Sequence, residues 1–195
     1  MEPPPTYGNL LYDDAWEWFS KNNFAIANYL HNFKSKAIKR EDKGDYWWEL
    51  RACAYLAEFE KPKIVFSEIV SEPQFYFDEK GFYPEATVFF ISGNHLKYLT
   101  ALLNSKAVTF FFKNFYMGGE LVGKIRYKKA FLENVPIPKP SIKEESNIET
   151  LVDQILSLKK ANPQADTSEL ENEIDELVYK LYELTPEEIE VVKNS

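Results

Sequence analysis

The chain has 195 residues, a formal net charge of −8, one cysteine, two histidines, 4 Trp, 12 Tyr and 15 Phe. Its hydrophobic content of 45% is enough for a real core and excludes disorder. The lone Cys53 excludes an intrachain disulfide and a multi-cysteine zinc site, and His31 and His95 match no metal-ligand spacing.

No apolar run approaches the ~20 residues of a bilayer span, and Met-Glu-Pro-Pro-Pro at the start has no signal-peptide pattern. The expectation is a soluble, cytoplasmic chain with no membrane contact. Its opening proline run reads as a linker or boundary, so the chain is expected to be a piece of a larger protein. Cys53, between Ala52 and Ala54, is expected to be a buried small apolar residue.

Asp13-Asp14 precede Ala15, Trp16, Trp18 and Phe19 and predict a capped short helix. Asn23 opens a longer one, with Ile26, Leu30, Phe33 and Ala37 on one face. Lys34, Lys36, Lys39 and Arg40 crowd its C-terminal half, where they suit the helix dipole as well as an anion, and Lys43-Gly44-Asp45 breaks it. Three short β-branched and aromatic runs follow, 63–66, 74–78 and 87–91, and predict strands. The turn signal Asp78-Glu79-Lys80-Gly81 predicts a hairpin between the second and third.

The period then returns to helical. Leu96, Leu99 and Leu103 form one stripe, and Val108, Phe111 and Phe115 another after a break at Asn104-Ser105. Val135-Pro-Ile-Pro-Lys-Pro140 predicts an extended strap. In the tail, Ile148, Leu151, Ile155 and Leu158 form one amphipathic face. Leu170, Ile174, Leu177, Leu181 and Leu184 form a second, with a Ser168/Glu171 capping box at its start. These two helices are expected to pack as an antiparallel hairpin, followed by a short helix starting at Thr185-Pro186-Glu187-Glu188. The fold class expected is α+β: a small mixed β-sheet domain flanked by helices, then a C-terminal antiparallel helical hairpin. The expected divisions are 1–22 as linker and short helix, 23–140 as the α+β domain, and 141–195 as the hairpin tail.

Charge is unevenly spread. Lys97 to Lys129 holds seven Lys/Arg (97, 106, 113, 124, 126, 128, 129) against Glu120 alone, a balance of +6, whereas residues 143–195 hold five Lys against fourteen acids, −9. Within the basic part, Met117 to Lys129 joins Gly118, Gly119 and Gly123 to Lys124, Arg126, Tyr127, Lys128 and Lys129. Cations with an aromatic and a yielding backbone are what a phosphate backbone attracts, although a solvated basic loop has the same composition.

Catalytic signatures are missing: no glycine fingerprint after a strand, no phosphate loop, no nucleophile elbow. Glu72, Asp78 and Lys80 could in principle form a metal-dependent nuclease set, but Asp78 and Lys80 fall at the expected turn. The expectation is no catalytic residue, no metal and no cofactor in this chain.

Several segments together resemble the TaqI-like C-terminal specificity domains, the target-recognition parts of type IIG restriction–modification enzymes and adenine-N6 DNA methyltransferases. They are Tyr46-Trp-Trp-Glu-Leu-Arg51, Phe59 to Val65, Phe75-Tyr-Phe-Asp78 with Gly81-Phe-Tyr83, Ile91-Ser-Gly-Asn94, Leu96 to Ser105, and Gly119 to Lys128 with Val135-Pro-Ile-Pro138. The tail runs 170–182 and 185–189 look like the helical end of the same enzymes, and the resemblance lies in the order of all these segments over about 24–190. Type I specificity subunits end their half-repeats similarly.

The resemblance implies a double-stranded DNA partner and a methyltransferase domain or subunit that binds S-adenosylmethionine and carries an Asn-Pro-Pro-Tyr type motif, which this sequence lacks. It implies phosphate anchors at Lys124, Arg126, Lys128 and Lys129, with Lys36, Lys39 and Arg40 second. Arg126 and Arg51 are candidate base readers, although Arg51 could equally pair with Glu49 or Glu58. Gly118, Gly119 and Gly123 would let the backbone approach DNA, or simply serve a loop needing positive φ. Tyr46-Trp47-Trp48 reads as core, and the acidic tail as an element that lies away from DNA and docks on the methyltransferase domain or on another subunit. The rival expectation is a protein-interaction module that binds a partner through the tail and makes no DNA contact.

Overall fold

A computed structural model of the chain describes residues 15–116 and 123–195. The expected Asp13-Asp14 cap lies outside the described residues. The chain divides between Tyr55 and Leu56 into two compact units.

The first unit holds α1 (Ala15–Asn22), α2 (Phe24–His31) and α3 (Lys34–Ala37). The helix expected to run from Asn23 to Ala37 is broken at Asn32-Phe33, where Phe33 leaves helical geometry (φ −105°, ψ 1°). Its predicted apolar face does not form a core stripe: Ile26 and Phe33 are 55% and 44% exposed, and Ala27 is the residue buried in α2. Aromatic stacking holds this unit. Trp16 packs on Trp47 and Trp48 at 4.7 and 5.0 Å between ring centroids, and Tyr46 stacks on Trp48 at 4.6 Å. The predicted core role of these three rings thus becomes a half-buried cluster. Cys53 is likewise only half-buried, against expectation.

The second unit is α+β. Its strands are β1 (Lys63–Ser67), β2 (Ile69–Val70), β3 (Tyr76–Asp78), β4 (Val88–Ser92) and β5 (Ile125–Arg126). The three predicted strands are present, but the predicted hairpin is not. β1 is the central strand, with β3 and β4 antiparallel on its two sides. Lys63 faces both Asp78 and Ser92, so β3 and β4 finish at the same end and the segment 79–87 carries the chain back to the other. The turn signal was sound, since Asp78 Oδ1 accepts the Lys80 N–H at 2.8 Å, but local turn chemistry does not choose a strand's partner. Beyond β1, β2 pairs antiparallel with β5.

The helices of this unit are α4 (Leu96–Asn104), α5 (Lys106–Phe115), α6 (Lys129–Leu132), α7 (Ile142–Ala161), α8 (Ser168–Leu181) and α9 (Pro186–Lys193). The break between α4 and α5 falls where predicted: Ser105 Oγ accepts the Val108 N–H and caps α5. The buried face of α5 is turned by one residue. Phe112 is fully buried with Val108, whereas Phe115 is 69% exposed. The predicted box at Ser168 is replaced by Thr167, which occupies the N-cap and donates its hydroxyl to Glu171 at 2.6 Å. The predicted Thr185/Glu188 box with Pro186 forms, and Ser141/Glu144 makes another at the start of α7.

The tail shares the main core. Ile148, Leu151 and Val152 of α7, Ile174 and Val178 of α8, and Val192 of α9 join Ile64, Phe77, Leu102 and Phe112 in one buried cluster. Burying roughly 1.5–3 kcal/mol of apolar side chain at each such position ties the tail to the sheet domain. The proline strap is stitched across, with Tyr98 donating to the Pro138 carbonyl and Tyr182 to that of Pro136.

Candidate nucleic-acid interface

The basic segment is shaped by strand alternation. Ile125 and Tyr127 point inward, 2% and 3% exposed, while Lys124 and Arg126 point outward and Lys128 is half-buried. Lys124, Arg126 and Lys128 therefore follow one another along one edge, and exposed Lys129 opens α6 beside them. Gly123 enters the strand at φ +68°, a conformation that favours glycine, and a Cβ there would meet nothing within 4 Å. Gly118 and Gly119 lie outside the described residues.

Tyr127 corrects the expected site. Its ring packs on Phe112 at 4.7 Å and Phe75 at 4.8 Å, and burial pushes its phenol pKa upward. It anchors β5 on the core and does not face solvent.

Not every cation of the basic stretch is free to attract an anion. Lys97 pairs with Asp153 at 2.7 Å, which raises its pKa, and Lys106 pairs with Asp175 at 3.1 Å. Two acids of the tail thus neutralise two cations of the basic stretch. Arg126 donates Nε–H to Glu68 at 2.6 Å. Lys128 lies over the Phe131 ring at 5.7 Å. Lys124, Lys128 and Lys129 have no acidic partner among the described residues.

In the first unit Lys36 and Lys39 are exposed. Arg40 is engaged otherwise: its guanidinium donates to the carbonyls of Trp47 (3.2 Å) and Glu49 (2.5 Å), closing the 40–49 loop. Arg51 is exposed, and within the first unit its possible pairing with Glu49 does not form. Glu49 accepts the Tyr46 N–H and Glu58 pairs with Lys61.

The nuclease reading fails on Asp78. That carboxylate and Lys63 are both fully buried and lie 2.5 Å apart. Asp78 also accepts the N–H groups of Lys80 and Phe82, each at 2.8 Å, and Lys63 donates as well to the Phe59 carbonyl. Burial alone would raise the Asp78 pKa, but the lysine and the two amides outweigh it and hold the group ionised below its ordinary value. The pair fastens β1, β3 and the following turn, and among the described residues no acid or histidine cluster could hold a metal.

The model of the TaqI-like C-terminal specificity domain matches residues 17–137, more than half of the chain. The chain belongs to this family. It is also 26% identical over 123 residues to the type II methyltransferase M.BanIII of Aneurinibacillus aneurinilyticus, a match covering 60% of this chain and 21% of that protein. The match therefore spans about a fifth of that relative's length. The match to the specificity-domain family takes in both Lys36–Arg51 and the β5 segment, and stops within the proline strap. Glu68, the partner of Arg126, escaped the sequence reading because 58 residues separate the two, and no local pattern joins them.

Proposed function

We propose that this chain is the DNA-recognition part of a site-specific adenine DNA methyltransferase or type II restriction–modification protein, and that it catalyses nothing alone. One observation carries the reading: in a member of the specificity-domain family, strand alternation puts Lys124 and Arg126 outward, with half-buried Lys128 and exposed Lys129 following them, within an acidic chain. Lys124, Lys128 and Lys129 hold the duplex by its phosphates, and Arg126 is the residue in this segment with the geometry to read a base. Exposed Lys36, Lys39 and Arg51 are further contacts of the first unit, whereas Arg40 and Tyr127 drop out as structural groups.

S-adenosylmethionine and the flipped adenine belong to a methyltransferase domain or subunit. The described residues offer that cofactor no parallel-strand site. The described strand pairs are all antiparallel, and Gly123 leads into a strand, not from a parallel strand into a helix. Docking a partner through the tail is the less favoured reading, because Ile148, Leu151 and Val152 of α7 and Ile174 and Val178 of α8 are buried in the core.

Titration against duplex DNA at several salt concentrations tests the proposal. Each engaged phosphate contributes a slope of about −0.9 in log affinity against log salt. Lys124→Ala with Lys128→Ala should flatten the slope by about 1.8 and weaken all sequences alike. Absence of binding at low salt, or a slope untouched by the double change, would overturn the assignment.

A further inference from the structure

Glu68 lies between β1 and β2 with its backbone fixed on both sides. Its N–H donates to the Thr87 carbonyl at 3.2 Å, and its own carbonyl accepts the Tyr127 N–H at 2.7 Å. Ile69 faces Arg126 in the β2–β5 register, so the Glu68 side chain starts from a fixed point beside the arginine. Its Oε1 then accepts the Arg126 Nε–H at 2.6 Å, with the carboxylate mostly buried and the guanidinium half exposed.

Two consequences follow from guanidinium chemistry. The group has five N–H donors in a planar fork, and engagement at Nε leaves both terminal amino groups, which make no hydrogen bond among the described residues. That free edge is the one that matches O6 and N7 of guanine in the major groove. Holding Nε also removes beforehand much of the rotamer freedom that a long side chain would lose on binding. The charge argument points the same way. Arg126 and Glu68 together carry no net charge, so the pair is a poor phosphate anchor beside Lys124, Lys128 and Lys129.

We propose that Glu68 is a positioning residue that fixes Arg126 with its terminal amino edge outward, for a bidentate contact to a guanine of the target. The pair selects sequence, and the neighbouring lysines supply attraction. This rests on the DNA-recognition reading above.

The test uses the full chain, a randomised duplex pool whose bound fraction is sequenced, and one unselected duplex titrated at several salt concentrations. Arg126→Ala should lose a preference for guanine of about tenfold or more at one position. Glu68→Ala should lose most of the same preference while binding the unselected duplex more tightly, because a carboxylate beside the phosphates has gone. Glu68→Gln keeps an acceptor for Nε and should restore the preference.

A misfolded variant would lose both kinds of binding together and would not show this opposite movement. If Glu68→Ala keeps the preference that Arg126→Ala loses, Arg126 reads unaided and the positioning role is refuted. Two further results refute it: a preference unchanged in both variants, or a uniform loss in Glu68→Ala that Glu68→Gln does not restore. If the parent chain shows no salt-dependent duplex binding, the DNA reading itself falls, and this inference with it.

Discussion

Asp78→Ala should destabilise the second unit more than any surface change in it. The substitution strands the Lys63 ammonium, fully buried, with the Phe59 carbonyl at 2.5 Å as its remaining partner. It also takes the acceptor from the Lys80 and Phe82 amides. Breaking a buried pair from one side costs about 3–5 kcal/mol. At an m-value of about 2 kcal/mol per molar urea, the midpoint should fall by roughly 1.5–2.5 M. Far-UV circular dichroism is the appropriate readout, because all four Trp precede Tyr55 and report on the first unit.

Lys63→Met should also be costly, and the double variant should lose less than the sum of the two singles, since neither charge is then left alone. Acid provides an independent arm. The Asp78 pKa is depressed in the fold, so its contribution is present above the unfolded value of 3.8 and is lost as pH falls below it. Asp78→Asn should lack that part of the acid loss. A midpoint shift under about 0.5 M for Asp78→Ala, or strictly additive costs in the double variant, would refute the pair as the fastening of the sheet.

Two further outcomes bear on the β5 segment, read by thermal unfolding alongside DNA titration. The Tyr127 hydroxyl is buried with no hydrogen-bond partner among the described residues, so Tyr127→Phe should leave stability equal or up to about 1 kcal/mol higher, while Tyr127→Ala should cost about 3–5 kcal/mol. Weaker DNA affinity in Tyr127→Phe at unchanged melting temperature would contradict its place in the core. Gly123→Ala meets no atom at its new Cβ, so its cost should be the backbone strain of positive φ alone, about 1–2 kcal/mol. A neutral result would mean that the entry to β5 does not need that conformation.

Much of the fold could be read locally, because the deciding groups lie within a few residues of one another. The Thr185/Glu188 box, the Ser105 break and the three strand runs are of this kind. The Ser141-x-x-Glu144 pattern was equally legible and shows how plain the signal is once sought. The candidate site was legible as a charge imbalance, and the outward places of Lys124 and Arg126 agree with it. What failed were inferences that needed a partner. The turn at Asp78 was visible, but not that β1 would separate β3 from β4. Nor did helical periodicity reveal that Phe112, rather than Phe115, would meet the core.

By itself, then, the sequence determined the elements of this specificity domain, its family and the location of its positive charge, all encoded in short-range spacing and in the order of segments. Tertiary structure decided which charges remain available. Lys63 and Asp78 meet in the core, Lys97 and Lys106 meet tail acids, and Arg126 meets Glu68. Each of these pairs joins residues 15 to 69 positions apart, a separation at which only packing, not local pattern, chooses the partner.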